Sequence, residues 1–300
     1  MTRLVKKIQE LKKKHNAVIL AHNYQLPEVQ DIADQVGDSL ELAKASRAVK
    51  ASTIVFCGVH FMAETAKIFN PEKLVLMPDI HAGCPMANMI TPERLQREKD
   101  AHPRAAVITY INSTAEIKAM ADICCTSANG VKVARSLKES EVLFVPDKYL
   151  GSYVARAVPE KTFHLYNGYC PTHMLFSKDG IAKLKAKNPG ARVVVHPECR
   201  TDVQEIADAI CSTSQMISYA RESAANTFII GTEIGMLHRL QKEVPGKKFI
   251  SGNPYALCPN MKLTTLEKIL WSLEDSSTEI TVDEIIRKKA YRVIERMVAL

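Results

Sequence analysis

Residues 17–39 read AVILAHNYQLPEVQDIADQVGDS, and the same pattern returns twice, as AVITYINSTAEIKAMADICCTSA from Ala106 and RVVVHPECRTDVQEIADAICSTS from Arg192. Each stretch is an apolar, β-branched run, then a polar turn, then a helical pattern ending in Ala-Asp. The Ala-Asp pairs are Ala33-Asp34, Ala121-Asp122 and Ala207-Asp208, spaced by 88 and 86 residues. The apolar runs close at His22, Tyr110 and His196 with the same spacings, and two residues later stand Tyr24, Asn112 and Glu198. Five residues after each Ala-Asp pair come Ser39, Ser127 and Thr213. General likeness among strand–helix units explains shared periodicity but not polar residues held in register, so the chain is read as a triplication.

The repeat extends downstream. A second apolar run covers Thr53–Cys57, Val142–Val145 and Thr227–Ile230, followed by helices at about 61–69, 151–157 and 233–243. Third strands are expected near Leu74–Met77, Thr162–Leu165 and Lys248–Ile250, and each copy then reaches a Cys-Pro: Cys84-Pro85, Cys170-Pro171 and Cys258-Pro259. Further helices are expected at Thr91–Ala101 and Ser177–Lys187, with others at 2–15, 264–274 and 283–298. Strand–helix alternation of this kind predicts an α/β fold of three pseudo-threefold three-layer domains, each with a short parallel sheet and right-handed crossovers. The expected units are 1–88, with helices from 263–300 packed on it, 89–175 and 176–262. Ligands of parallel sheets collect beyond the carboxyl ends of the strands. His22, Tyr110 and His196 stand there, and packing about a common axis would turn all three ends and all three Cys-Pro loops to one central site.

The 300 residues carry a formal charge of +7, with 46% hydrophobic and 24% charged residues. The basic residues are dispersed among glutamates with no aromatic-interleaved block, which argues against nucleic acid and for a small anionic substrate. No run approaches the roughly 18 apolar residues of a membrane helix, and the Lys-rich N-terminus lacks the apolar core of a signal peptide. Eight cysteines without a secretory signal point to a reducing, cytoplasmic setting. No CxxC pair is present, so a metal site must draw its ligands from distant segments.

Cys84, Cys170 and Cys258 are the three cysteines that repeat. Each stands before a proline, which stiffens the loop and removes an N–H donor. Three converging thiolates allow a zinc site with a fourth ligand, a cubane iron–sulfur cluster with one open iron, or three buried structural thiols. Cys57, Cys124, Cys125 and Cys211 are expected to be buried hydrophobes. Cys199, next to Glu198, is a candidate for a redox role. Ser39, Ser127 and Thr213 lie where a helical pattern restarts, where a hydroxyl caps the next helix and leaves amide donors for an anion.

The runs LAHNYQLPEVQDIADQVGDSLELA, YINSTAEIKAMAD, TSANGV, VVHPE and IIGTEIGM, with the three Cys-Pro loops, resemble the quinolinate synthase family over nearly the whole chain. The resemblance implies three α/β domains in a triangle around a [4Fe–4S] cluster held by Cys84, Cys170 and Cys258. It implies condensation of iminoaspartate with dihydroxyacetone phosphate to quinolinate, phosphate and two waters, in de novo synthesis of the NAD pyridine ring. The cluster then serves as Lewis acid. It further implies that Tyr24, Glu198, His22 and His196 carry the chemistry. By the same resemblance, His22, Ser39, Tyr110, Asn112, Ser127, His173, His196, Glu198, Ser212 and Thr213 are expected to bind substrate. Where the family often has STG, this chain reads STS, with Ser214 in the glycine position. No nucleic-acid or membrane partner is implied, and the enzyme that supplies iminoaspartate is the protein to look for as a transient contact. Other readings are a cluster-dependent hydro-lyase on a small dicarboxylate and a non-enzymatic iron–sulfur sensor. Polar residues at all three strand ends argue against the sensor, and the lack of any GxGxxG after a first strand argues against a dinucleotide fold.

Overall fold

Residues of the first strand of each repeat alternate between two environments, and that alternation organises the molecule. The computed structural model describes residues 2–300. Around the first sheet lie α1 (Arg3–Lys14), β1 (Ala17–His22), α2 (Pro27–Ile32), β2 (Gln35–Gly37), α3 (Ser39–Ala48), β3 (Thr53–Cys57), α4 (His60–Phe69) and β4 (Leu74–Leu76). The second set is α5 (Pro92–Ala101), β5 (Ala106–Tyr110), α6 (Ala115–Met120), β6 (Ile123–Cys125), α7 (Gly130–Ser136), β7 (Glu141–Val145), α8 (Lys148–Ala157) and β8 (Thr162–Leu165). The third is α9 (Lys178–Lys187), β9 (Arg192–Val195), α10 (Thr201–Gln204), β10 (Ala209–Ile210), α11 (Thr213–Glu222), β11 (Thr227–Gly231), α12 (Met236–Glu243) and β12 (Lys248–Ser251). Helices α13 (Leu266–Asp275) and α14 (Glu284–Val298) complete the chain.

The three sheets share one topology: β2-β1-β3-β4, β6-β5-β7-β8 and β10-β9-β11-β12, parallel throughout. Leu20, Ile108 and Val194, at equivalent repeat positions, face one shared central core. Their neighbours Ile19, Val107 and Val193 face three separate outer clusters. The period of two therefore gives each sheet an inner and an outer layer. It also aims His22, Tyr110 and His196 inward, each two residues beyond a core residue.

Each sheet has a fourth strand, directly after Ala-Asp, in a stretch to which the sequence assigns no element. These strands have only two or three residues, and the preceding Ala-Asp explains them. The N–H of Asp34, Asp122 and Asp208 donates to the carbonyl of Ile19, Val107 and Val193, at 2.9, 3.0 and 2.8 Å. Each carboxylate accepts the N–H of that same residue, at 2.8, 2.8 and 2.7 Å. The landmark that revealed the repeat is thus a clip that docks the edge strand. Two helix starts also move: α8 begins at Lys148, capped by Asp147, and α12 begins only at Met236, after a turn at Glu233.

The units close into a ring head to tail. Helix α2 packs on α12, α6 on α4, and α10 on α8. One equivalent residue ties each seam. Gln30 Nε2 donates to the carbonyls of Asn23, Gln25 and Gly235 at 3.1, 2.9 and 3.1 Å. Lys118 Nζ donates to Ser113 and Phe61 at 2.7 and 3.4 Å. Gln204 Nε2 donates to Pro197 and Cys199 at 2.8 and 2.7 Å, and its oxygen accepts from Arg156. Helix α13 lies on α1 and β3, over the first sheet. Helix α14 packs chiefly on α6 and β6 and also on α3 and α4 of the first unit, with Ala290, Val293, Ile294 and Met297 in the central core.

Candidate active site

The strand ends open into a cavity on the inner side of the ring. Lining it are His22, Tyr24, Ser39, Tyr110, Asn112, Ser127, His173, His196, Glu198 and Thr213, together with Cys84, Cys170 and Cys258. Of the residues expected to ligate the cluster, bind substrate or carry the chemistry, only Ser212 is outside the lining. It is fully buried behind it, with its hydroxyl on Asp38 Oδ2 at 3.2 Å.

Two histidines are fixed alike. His22 Nδ1 accepts the Tyr24 N–H at 3.2 Å and His196 Nδ1 accepts the Glu198 N–H at 3.3 Å. That pattern assigns the ring hydrogen to Nε2 in both. Burial lowers both rings to about 3, so they are neutral hydrogen-bond donors at neutral pH. The 3.9 Å approach of His196 Nδ1 to Glu198 is then not an ion pair.

Glu198 is the hub. It accepts from the Tyr110 hydroxyl at 2.6 Å and sits 2.8 Å from His173 Nδ1. Burial alone would raise its carboxyl, but His173 beside it and the bonds from His173 and Tyr110 hold it well below the usual carboxylate range. His173 Nε2 lies 2.9 Å from Thr232 Oγ1, and Thr232 Oγ1 lies 2.5 Å from the Tyr24 hydroxyl. A continuous hydrogen-bonded chain therefore joins Tyr24, Thr232, His173, Glu198 and Tyr110. Burial raises both tyrosine hydroxyls well above their ordinary value, with Glu198 adding to it. Asn112 Oδ1 is buried and without a partner, an acceptor open to a ligand.

The helix starts differ from the expectation. Asp38, not Ser39, caps α3, accepting the N–H groups of Leu40 and Glu41 in a capping box. Ser212 caps α11, with Thr213 as its first residue, and Ser127 lies before Asn129, which makes no side-chain cap. The caps thus take the Leu40 and Glu41 amides at α3 and the Gln215 amide at α11, which leaves the amides of Ser39, Thr213 and Ser214 and the neighbouring hydroxyls for an anion. Thr213 Oγ1 accepts from Asn23 at 2.8 Å, which leaves its own hydrogen free. Ser214, in the family's glycine position, donates to Glu41 Oε2 at 2.5 Å across a seam. Asp38, Thr232 and Glu233 were missed in the sequence. Only Asp38 had a readable signal, the acid three residues before Glu41.

Burial pushes the Cys84 thiol up to about 12 and raises Cys170 and Cys258 as well. Buried thiols of this kind ionise when a cation binds them. The three sulfurs do not all lie within 4.8 Å of one another. A tetrahedral zinc ion, with Zn–S near 2.3 Å, would bring its sulfurs to about 3.8 Å. Three thiols, one from each Cys-Pro loop, lining one cavity at wider spacing fit a larger group such as a cubane cluster. Cys170, His173 and Glu198 do bring one ligand atom each within 4.8 Å, the one group of that kind among the described residues. The other five cysteines are buried and free. Cys199 donates to the Gly231 carbonyl at 3.3 Å, and burial raises its thiol well above the ordinary value, which suits packing better than reactivity.

Fold and cavity together define a three-unit α/β enzyme whose single site takes residues from every unit. Over residues 6–299 the chain matches the family model described as quinolinate synthetase A protein, and it belongs to that family. It is 56% identical over 291 residues to the quinolinate synthase of Dehalococcoides mccartyi (strain BAV1), covering 97% of this chain and 96% of the relative. It is 51% identical over 300 residues to that of Thermodesulfovibrio yellowstonii, covering 100% and 99%. The quinolinate synthase of Methanoregula boonei is 52% identical over 297 residues, covering 99% and 98%.

Proposed function

We propose that the chain condenses iminoaspartate with dihydroxyacetone phosphate, releasing phosphate and two waters to give quinolinate. The observation that carries this is one cavity lined by a thiol and a polar strand end from each of the three repeats. Cys84, Cys170 and Cys258 would hold a [4Fe–4S] cluster, which when bound supplies an open iron as Lewis acid toward a substrate hydroxyl or carboxylate. The units run 1–88, 89–175 and 176–262, and eight free thiols suit a cytoplasmic setting. Among the described residues no helix is long and apolar enough to cross a membrane.

The side chains divide the work. The Nε2–H groups of His22 and His196 and the hydroxyls of Ser39, Ser127 and Thr213 donate to carboxylate and phosphate oxygens. Asn112 accepts from the imine nitrogen. Glu198, ionised and central, takes the proton released in isomerisation, and Tyr24 receives or returns one through Thr232 and His173. Phe61, Met62, Met86 and Met261 wall the cavity and limit water.

The test is an anaerobic assay with both substrates. Quinolinate and phosphate should appear in equal amounts. Glu198→Gln should lower kcat by about 10²–10⁴-fold with unchanged iron content. Turnover of a dicarboxylate alone, indifferent to the triose, would favour the hydro-lyase instead.

A further inference from the structure

A small ionic cluster joins the Tyr24 turn of the first unit to the Cys258 loop of the third. Glu233 is fully buried, just past β11. Its Oε1 accepts the Cys258 N–H at 3.0 Å and its Oε2 accepts the Gly235 N–H at 2.7 Å. Lys262, on the turn after Cys258, reaches the same carboxylate at 3.0 Å and also donates to the Tyr24 carbonyl. A side chain at position 235 has no room here. A Cβ on Gly235 would stand 2.8 Å from Glu233 Oε2, from Lys262 Nζ and from the Tyr24 carbonyl oxygen. Gln30 closes the far side by binding the carbonyls of Asn23, Gln25 and Gly235.

The repeat supplies this arrangement only in part: in the second unit the Asp147 carboxylate likewise bonds to the Cys170 backbone, without a lysine. The positions equivalent to Glu233 hold Val59 and Asp147, and those equivalent to Lys262 hold Asn88 and Met174. Asp147 caps α8 and has no lysine on it. The pair occurs only in the third unit, where the Tyr24 turn of the first unit comes to lie. A buried carboxylate bonded to an amide and an ammonium is a stiff, charge-assisted connection. Breaking one side leaves the other unpaired.

We propose that Glu233 and Lys262 are positioning residues that couple the Cys258 loop to the Tyr24 turn, so that loading of the cluster at Cys258 orders the backbone beside Tyr24. This rests on Cys258 being a cluster ligand. The cysteine amide is held by the same carboxylate that, through one lysine, holds the carbonyl of the tyrosine. A shift of the loop on metal binding is therefore transmitted without contact between cluster and turn.

The test is hydrogen exchange of residues 23–30 in the full chain, cluster-free and anaerobically reconstituted, with iron counts on each sample. In the wild type, loading should slow exchange of this turn about tenfold. Lys262→Met should load iron and lose that response, and Lys262→Arg should restore it. Glu233→Gln should lose it too and release iron to a chelator about 10- to 100-fold faster. kcat should fall in Lys262→Met with KM little changed, as expected when the tyrosine rather than substrate binding is disturbed. An equal response in wild type and both Lys262→Met and Glu233→Gln, or none in the wild type, would overturn the coupling. Cys258→Ala keeping wild-type iron would overturn the ligand assignment instead.

Discussion

Thr232 sits between the Tyr24 hydroxyl and His173, at 2.5 and 2.9 Å, and is almost fully buried. Its hydroxyl is the only bridge between Tyr24 and the Glu198 hub in the chain described above. Thr232→Val keeps the shape and removes the bridge. We expect kcat to fall about 10²-fold with near-normal iron content and KM, measured by steady-state kinetics on the loaded enzyme. Sequence reading did not find this residue, for a physical reason. Its counterparts in the other copies are Gly58 and Pro146, so the repeat gave no signal, and a threonine ending a strand is ordinary. The residues that were legible, His22, Tyr24, Tyr110, Asn112, His196 and Glu198, are those where three copies place polar groups at the end of an apolar run. Their hydrogen-bond partners come from other units, and no local pattern predicts those.

The secondary-structure elements were legible except for the very short edge strands, which the sequence left unassigned. Strands such as Thr53–Cys57 and Thr162–Leu165 have the bounds their β-branched runs indicate. The edge strands β2, β6 and β10 carry too few residues for a period, and they exist because a carboxylate docks them. Asp208 shows the energetics. Burial alone would raise its carboxyl, but the Val193 N–H, Arg192 and Lys185 hold it below the ordinary carboxylate range. A depressed folded value means stability that is present above the unfolded value, near pH 4, and lost as pH falls through the folded one. The group is partly exposed, so screening makes its contribution modest. Asp208→Asn should cost about 1 kcal/mol in urea unfolding at pH 7. The difference from wild type should shrink as the pH falls toward 3; a constant difference would show that the charge is not what matters.

At the scale of the whole molecule, triplication explains both the ring and the site. Three sheets of identical order present their inner faces to one core, and three head-to-tail seams close the ring. The seam residues Gln30, Lys118 and Gln204 show how copies diverge while keeping geometry. Lys118 is fully buried and lies over the Phe61 ring at 5.3 Å, where its counterparts use an amide. Burial lowers its ammonium despite nearby Glu64, a cost offset by the carbonyls it binds. Such differences were invisible in a reading of matching landmarks, as was the crossing of α14 to the second unit, since an amphipathic helix does not name the surface it will cover. The proposed function makes its strongest demand at this scale: three cysteines 86 and 88 residues apart would serve one group. The most direct test is to purify wild type and Cys84→Ala without oxygen, then count iron and sulfide and take the visible spectrum. We expect about four irons and four sulfides per wild-type chain, with broad thiolate–iron absorption, and loss of both in the variant. A colourless wild type that binds one zinc, or a Cys84→Ala protein that keeps a full cluster, would contradict a site shared equally among the three repeats.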